Sequence, residues 1–309
     1  MDAAVLLIAL QTVLAATWRM ATPLIYTAIG EMFAERAGVL NIGLEGIMLA
    51  GALTAFTGVL FTGSLAMGLL ATVAIGTVCG LVFALFTVTI KANQIVVGAA
   101  FNLIGLGLTG FFYRGLFVGT PQGVETFAPL TIPLLSDLPF LGEVLFRHNL
   151  MVYGTLVLVP LATFVLYKTA FGLSLRSVGE HPKAADTVGI NVSRTRYAAV
   201  IIGAVLAATG GAFLTIAQTN QFVEGITSGR GFIALAIVVF GRWSPWGILG
   251  SSLLFGAFFA LQLRLQAIPD LQIPYQSLQV LPYLATIIVL ISVSKRSEMP
   301  AALGVPYRK

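Results

Sequence analysis

The sequence predicts an all-α fold: a polytopic integral membrane helical bundle of about 8–10 transmembrane helices, with room for discontinuous ones. Three observations predict it. Of 309 residues, 58% are hydrophobic and only 9% are charged, where a soluble domain carries about 25% charged residues. Mean hydropathy is +0.96, and apolar runs near 20 residues recur, each long enough to cross a hydrocarbon core of about 30 Å. The 33 glycines suit close helix packing, whereas a membrane β-barrel would show short segments of alternating hydropathy.

Taken in order, the predicted spans are 4–18, a charge-broken segment 21–40, then 42–61, 66–90, 95–117, 149–167, 197–217, the pair 231–241 and 246–263, and 276–293. The opening 18 residues lack a basic stretch and a small-residue cleavage site, so they read as a membrane segment rather than a signal peptide. Orientation follows from Lys and Arg, which concentrate on the cytoplasmic side. Lys91, the loop 168–196 (Lys168, Arg176, Lys183, Arg194, Arg196) and the tail (Lys295, Arg296, Arg308, Lys309) are expected inside. The loop 118–148, with Glu125, Asp137 and Glu143 against Arg147, is expected outside, as is the N-terminus, which carries Asp2 and no early cation. Residues 1–309 thus read as a single transmembrane domain.

The pI near 9.5 reflects this loop asymmetry and is not a nucleic-acid signature. Cys79 stands alone, which excludes an internal disulfide. His148 and His181 are too far apart for a metal site, and no phosphate-binding loop or zinc-protease motif occurs. An enzyme and a bound cofactor are therefore not expected.

Four polar features remain. In GEMFAERAGVLNIGLEG, 30–46, charges inside an apolar chain point to function. At about 100° per residue, Glu31, Glu35, Asn41 and Glu45 fall within an arc of about 120° on one helix, with Arg36 pointing away. They would line a polar pathway, or Glu31, Glu35 and Arg36 would form a solvated turn, with Gly38 and Gly43 allowing a break. In 95–117, Asn102, Thr109 and Tyr113 share a face beside Gly98 and Gly105, so Asn102 reads as interhelical glue or as a ligand contact. Ala199, Gly203, Ala207 and Gly211, four apart, form a packing seam. Trp243 and Trp246 around Pro245 read as an interfacial belt. A weak internal echo links 33–49 with 222–238, each carrying Phe-x-Glu, a glycine break and an apolar run.

The loop 168–196 predicts its own short helix. Pro182 suits the first helical position, Ala184, Ala185 and Val188 give an apolar strip, and Gly189 suits the position just past the end. Such a helix docks on a partner or lies on anionic headgroups.

The run GEMFAERAGVLNIGLEGIMLAGA (30–52) closely resembles the signature segment of permease subunits of bacterial nucleoside importers of the ATP-binding-cassette (ABC) class. These sit within the branched-chain amino acid and simple-sugar permease group. LRSVGEHPKAADTVGINVSRTR (175–196) resembles that group's cytoplasmic loop, with Gly179, Ala184, Ala185, Gly189 and Ile190 matching and His181 departing from the usual Asn. FVEGITSGRGFIALAIVVFGRWSPWG (222–247) resembles a third segment. The resemblance implies a separate ATP-hydrolysing subunit, a second permease subunit, identical or homologous, and a substrate-binding lipoprotein outside an inner membrane. It makes Gly179, Glu180, Pro182, Ala184, Ala185, Gly189 and Ile190 the ATPase-coupling element. For such a permease, the polar residues of 30–46 and 95–117 described above are the expected lining of the path of a small-molecule substrate, with Glu31, Asn41, Glu45 and Asn102 as its contacts.

Overall fold

The computed structural model describes residues 3–116, 123–133, 135–266, 280, 284 and 299–308. These form eleven helices, two of them extended by a π turn, and one two-stranded antiparallel sheet. They are α1 (Ala3–Arg36), α2 (Leu44–Thr62), α3 (Leu65–Ala84, extended by Leu85–Thr89), α4 (Gln94–Leu116), β1 (Pro129–Thr131), α5 (Leu141–Leu145) and β2 (Arg147–Asn149). After them come α6 (Leu150–Lys168), α7 (Ala170–Glu180), α8 (Pro182–Thr187), α9 (Val192–Phe213, extended by Leu214–Thr219), α10 (Arg230–Phe240) and α11 (Pro245–Gln266). Six are long and apolar enough to cross a membrane: α2, extended α3, α4, α6, extended α9 and α11. The chain is a multi-pass membrane protein of the all-α class. The expected span 276–293 lies outside the described residues.

One expectation is corrected at the N-terminus. The segments 4–18 and 21–40 are a single helix ending at Arg36, about 51 Å long at 1.5 Å per residue. Arg19 is exposed on its flank and Pro23 is held inside the helix. The helix continues past Pro23 to Arg36 although the proline has no N–H to donate, and Thr27 Oγ1 donates to Pro23 O at 2.8 Å.

In lipid, apolar side chains gain little by meeting each other, and association depends on close packing. α9 provides the centre of that packing, and the predicted small-residue seam faces two neighbours. A Cβ at Gly30 would sit 2.6 Å from Gly203 O, and one at Gly203 would sit 2.9 Å from Gly30 O. Gly211 leaves no such space against Met48 O of α2. α4 is the opposite case, with Leu103, Ile104, Phe111 and Phe112 exposed where a bilayer would cover them.

The two ends of the bundle differ. At one end α7, α8, the 37–43 break and the tail 299–308 interlock. At the other, β1 pairs antiparallel with β2, Leu130 opposite His148, and this loop rests on the end of α9 through Val124 N to Asn220 O at 2.8 Å. α10 is short: its 11 residues span about 16 Å, half a hydrocarbon core.

Candidate functional site

α1 ends at Arg36 because Gly38 turns left-handed, at φ +85°. Gly38 N bonds Glu35 O at 2.9 Å and Val39 N bonds Ala34 O at 3.0 Å, the double closure typical of glycine helix ends. Residues 37–43 then run without helix until α2 begins. Inside a bilayer such backbone persists only where protein satisfies its polar groups.

Here side chains from other elements do so. Gln94 Oε1 of α4 accepts from Leu40 N at 2.7 Å, and Glu31 Oε1 of α1 accepts from Asn41 N at 2.7 Å. The Asn41 side chain turns back to accept from Gly43 N at 2.9 Å. Asn102 of α4 bridges both sides of the gap, accepting from Gly46 N at 3.0 Å and donating to Ile42 O at 2.9 Å. Close approach makes this bridge possible, because a Cβ at Gly98 would lie 2.9 Å from Gly43 N.

A second helix end meets the same place. α10 begins beside Glu45, in the first turn of α2. Glu45 Oε1 accepts from Thr227 Oγ1 at 2.6 Å and from Gly229 N at 2.7 Å, while Oε2 accepts from Gly231 N at 2.7 Å. A carboxylate thus closes the N-terminus of a half-length helix, where the free N–H groups and the helix dipole favour negative charge. Gly231 is required there, since a Cβ would lie 2.5 Å from Glu45 N. Gly46 is level with Asn102, eight residues or about 12 Å along α4 from its start, so the junction is well inside the helix bundle.

The one-helix arrangement expected for 30–46 is therefore corrected. Glu31 and Glu35 belong to α1, Asn41 to the break and Glu45 to α2, because Gly38 ends the helix between them. The four expected pathway residues nevertheless converge: Glu31 bonds Asn41, and Asn102 bonds the backbone on both sides of Glu45. Glu31 and Glu35 are fully buried, not a solvated turn. Arg36 donates from Nε and Nη2 to Trp243 O at 3.1 and 3.0 Å, and Trp243 Nε1 donates to Glu35 Oε2. Trp243, expected in an interfacial belt, is buried at 3% exposure while Trp246 is exposed at 57%, because only Trp243 has a carboxylate to reach.

Sequence reasoning missed Gln94, Thr227, Gly229, Gly231 and the inward role of Trp243. The expected span 231–241 is α10, and Ser-Gly-Arg-Gly before it is the helix-start signal that could have drawn attention to Gly229 and Gly231. The two echoed segments, 33–49 and 222–238, do meet through Glu45. Glu31 Oε2 is buried with no hydrogen-bond partner among the described residues, which leaves one acceptor of the network open.

The expected coupling residues lie together at the end of the bundle. Thr169 caps α7 by accepting from Gly172 N at 3.1 Å. Pro182 starts α8. Gly189, at φ +87°, ends it through Gly189 N to Asp186 O and Ile190 N to Ala185 O, both 3.0 Å. Asn191 Oδ1 accepts from Arg194 N at 2.9 Å to start α9. The predicted apolar strip is divided. Ala185 is buried at 3% against Val178 and Val192, with Ile190 and Tyr307 beside it, whereas Ala184 and Val188 stay exposed. Gly179 packs on Arg36 O with no room for a side chain, and Glu180 Oε2 accepts from Ala301 N at 3.3 Å.

The family described as branched-chain amino acid transport system / permease component matches residues 13–291. The chain belongs to this family. It is 40% identical to the nucleoside ABC transporter permease protein NupC of Lactococcus lactis subsp. cremoris, over 97% of this chain and 98% of that protein. It is likewise 40% identical to the guanosine ABC transporter permease protein NupQ of Bacillus subtilis, over 97% of each. TsgC13 of Haloferax volcanii, provisionally named a glucose ABC transporter permease protein, is 38% identical over 95% of this chain and 96% of that protein. These relatives are named as transport permeases.

Proposed function

We propose that this chain is the membrane permease subunit of an ABC importer for nucleosides, working by alternating access. Identity of 40% to two permeases named for nucleoside and guanosine transport, across 97% of the chain, is the observation that carries this reading. A separate ATPase drives it, a second permease completes the pathway, and an extracytoplasmic binding protein supplies substrate. The chain lies in the cytoplasmic membrane with 168–196 and the tail inside and 118–148 outside.

The pathway runs beside the junction of α2, α4 and α10. In the present conformation Asn41, Asn102 and Glu45 are engaged with backbone, so the junction is a closed one. Hydroxyl groups of a ribose are donors that exchange with Thr227 at Glu45, and an exchange of like for like lets the helix ends part without leaving a buried acceptor bare. Gly179, Glu180, Pro182, Ala184, Ala185, Gly189 and Ile190 build the coupling element, and the exposed Ala184 and Val188 offer its contact to the ATPase.

Uptake of labelled guanosine by the assembled complex, challenged with excess unlabelled uridine, ribose, glucose or leucine, tests the substrate class. Competition by uridine alone is expected. Competition by glucose instead would favour a sugar permease, the reading that similarity to TsgC13 supports. Co-purification of an ATPase in mild detergent is expected as well, and uptake abolished by an uncoupler but indifferent to ATPase loss would replace the reading with a secondary transporter.

A further inference from the structure

Arg196, in the first turns of α9, is among the largest fully buried side chains, at 1% exposure. Its Nε donates to Ala37 O at 3.1 Å and its Nη1 to Val305 O at 3.0 Å. Nη2 has no partner among the described residues and lies 2.9 Å from where a Gly38 Cβ would stand. This guanidinium is thus held by main-chain carbonyls. A buried cation held in this way is a poor stabiliser beside a well-packed apolar residue. What a guanidinium offers is a rigid fork that fixes the distance between two acceptors, which a lysine cannot do.

The two acceptors belong to different segments. Ala37 is the first residue of the break, and Val305 is in the C-terminal tail. The tail is bonded in turn to both partners: Gly304 N donates to Gly38 O at 3.2 Å and Ala302 N to Gly179 O at 2.8 Å. Gly179 of α7 sits directly on Arg36 O, and Tyr307 packs beside Ala185 of α8. Coupling loop, tail and break are therefore joined by short, direct bonds. The break passes this on within four residues to the Glu31–Asn41 bond.

We propose that Arg196 is a positioning residue which, with tail residues 301–305, ties the α7–α8 loop to the break at 37–38, so that displacement of the loop is delivered to the polar junction. The proposal rests on the reading that this loop receives an ATPase. Without the fork, the loop moves on its own and ATP is hydrolysed without opening the junction.

The test uses the complete complex in proteoliposomes, with Arg196→Lys and, separately, deletion of 303–309. Labelled guanosine uptake and ATP hydrolysis are measured together. Both variants are expected to retain the ATPase and hydrolyse within about twofold of wild type, while guanosine imported per ATP falls on the order of tenfold, the size of an ordinary allosteric coupling. Uptake and hydrolysis falling in proportion would overturn the proposal, as would an unchanged ratio in either variant. Failure of both variants to assemble would make Arg196 a folding residue and overturn it as well. The wild-type complex separates the two claims. Absence of ATP-driven uptake in wild type overturns the proposed function, whereas a working wild type with fully coupled variants overturns the relay alone.

Discussion

The break at 37–43, with the helix starts that meet it, and the loop at 168–196 both interrupt helices, and they satisfy their free backbone groups in different ways. The loop is closed locally: Thr169 and Asn191 each cap the helix that begins at the next residue, accepting from the N–H three residues on, and Gly189 closes α8 with its own turn. The break is closed from a distance. Leu40 depends on Gln94, Gly46 on Asn102, and Gly229 and Gly231 on Glu45, more than 180 residues away in sequence. Water completes the hydrogen bonds of an exposed loop, but backbone buried among helices has only the side chains brought to it. Local caps suit a segment that meets partners from outside. Remote caps suit a junction whose parts must separate together.

That contrast can be broken or sharpened by substitution, beginning with the largest effect. Glu45→Leu leaves two buried N–H groups without acceptors, at about 1–3 kcal/mol each, so the loss is about 2–6 kcal/mol. A large drop in thermal stability of the purified protein is expected, with Glu45→Gln losing less. If Glu45→Leu melts like wild type, α10 is not held at its N-terminus. Asn102→Leu orphans Gly46 N, costing about 1–2 kcal/mol, in the range of interhelical hydrogen bonds in membranes. It should lower uptake while the complex still assembles, and normal uptake would remove Asn102 from the pathway. Asn191→Ala loses an exposed cap, worth about 1 kcal/mol. A melting shift as large as that of Glu45→Leu would erase the distinction between the two regions. Val188→Ser alters an exposed side chain and should change stability by no more than about 0.5 kcal/mol. Its expected effect is weaker ATPase recovery in a pull-down, and undiminished recovery would place the docking contact elsewhere on the loop.

The same contrast explains what could be read in advance. The fold class followed from hydropathy, and the loop helix from Pro182 to Gly189 followed from cap chemistry written within a few residues. The polar character of 30–46 was equally plain, and Glu31, Asn41, Glu45 and Asn102 do meet. Their arrangement was not legible, because an angular argument assumes one continuous helix and Gly38 ends it. Thr227 and Gly231 were missed because their partner lies on another helix. Trp243 was misread because sequence gives its distance from Pro245 but not from Glu35. The merging of 4–18 with 21–40 was hidden by Arg19, which α1 carries on its exposed flank, and by Pro23, which it holds inside the helix.

The contact between Gly30 and Gly203 also constrains how this family member can diverge. Where two side chains meet, a larger one can be offset by a smaller partner. Here each added methyl would press on the other residue's carbonyl group, and neither partner has anything left to shed. Substitution at one position has no second-site remedy at the other, so the crossing of α1 and α9 is a place where neutral drift is blocked in both helices at once.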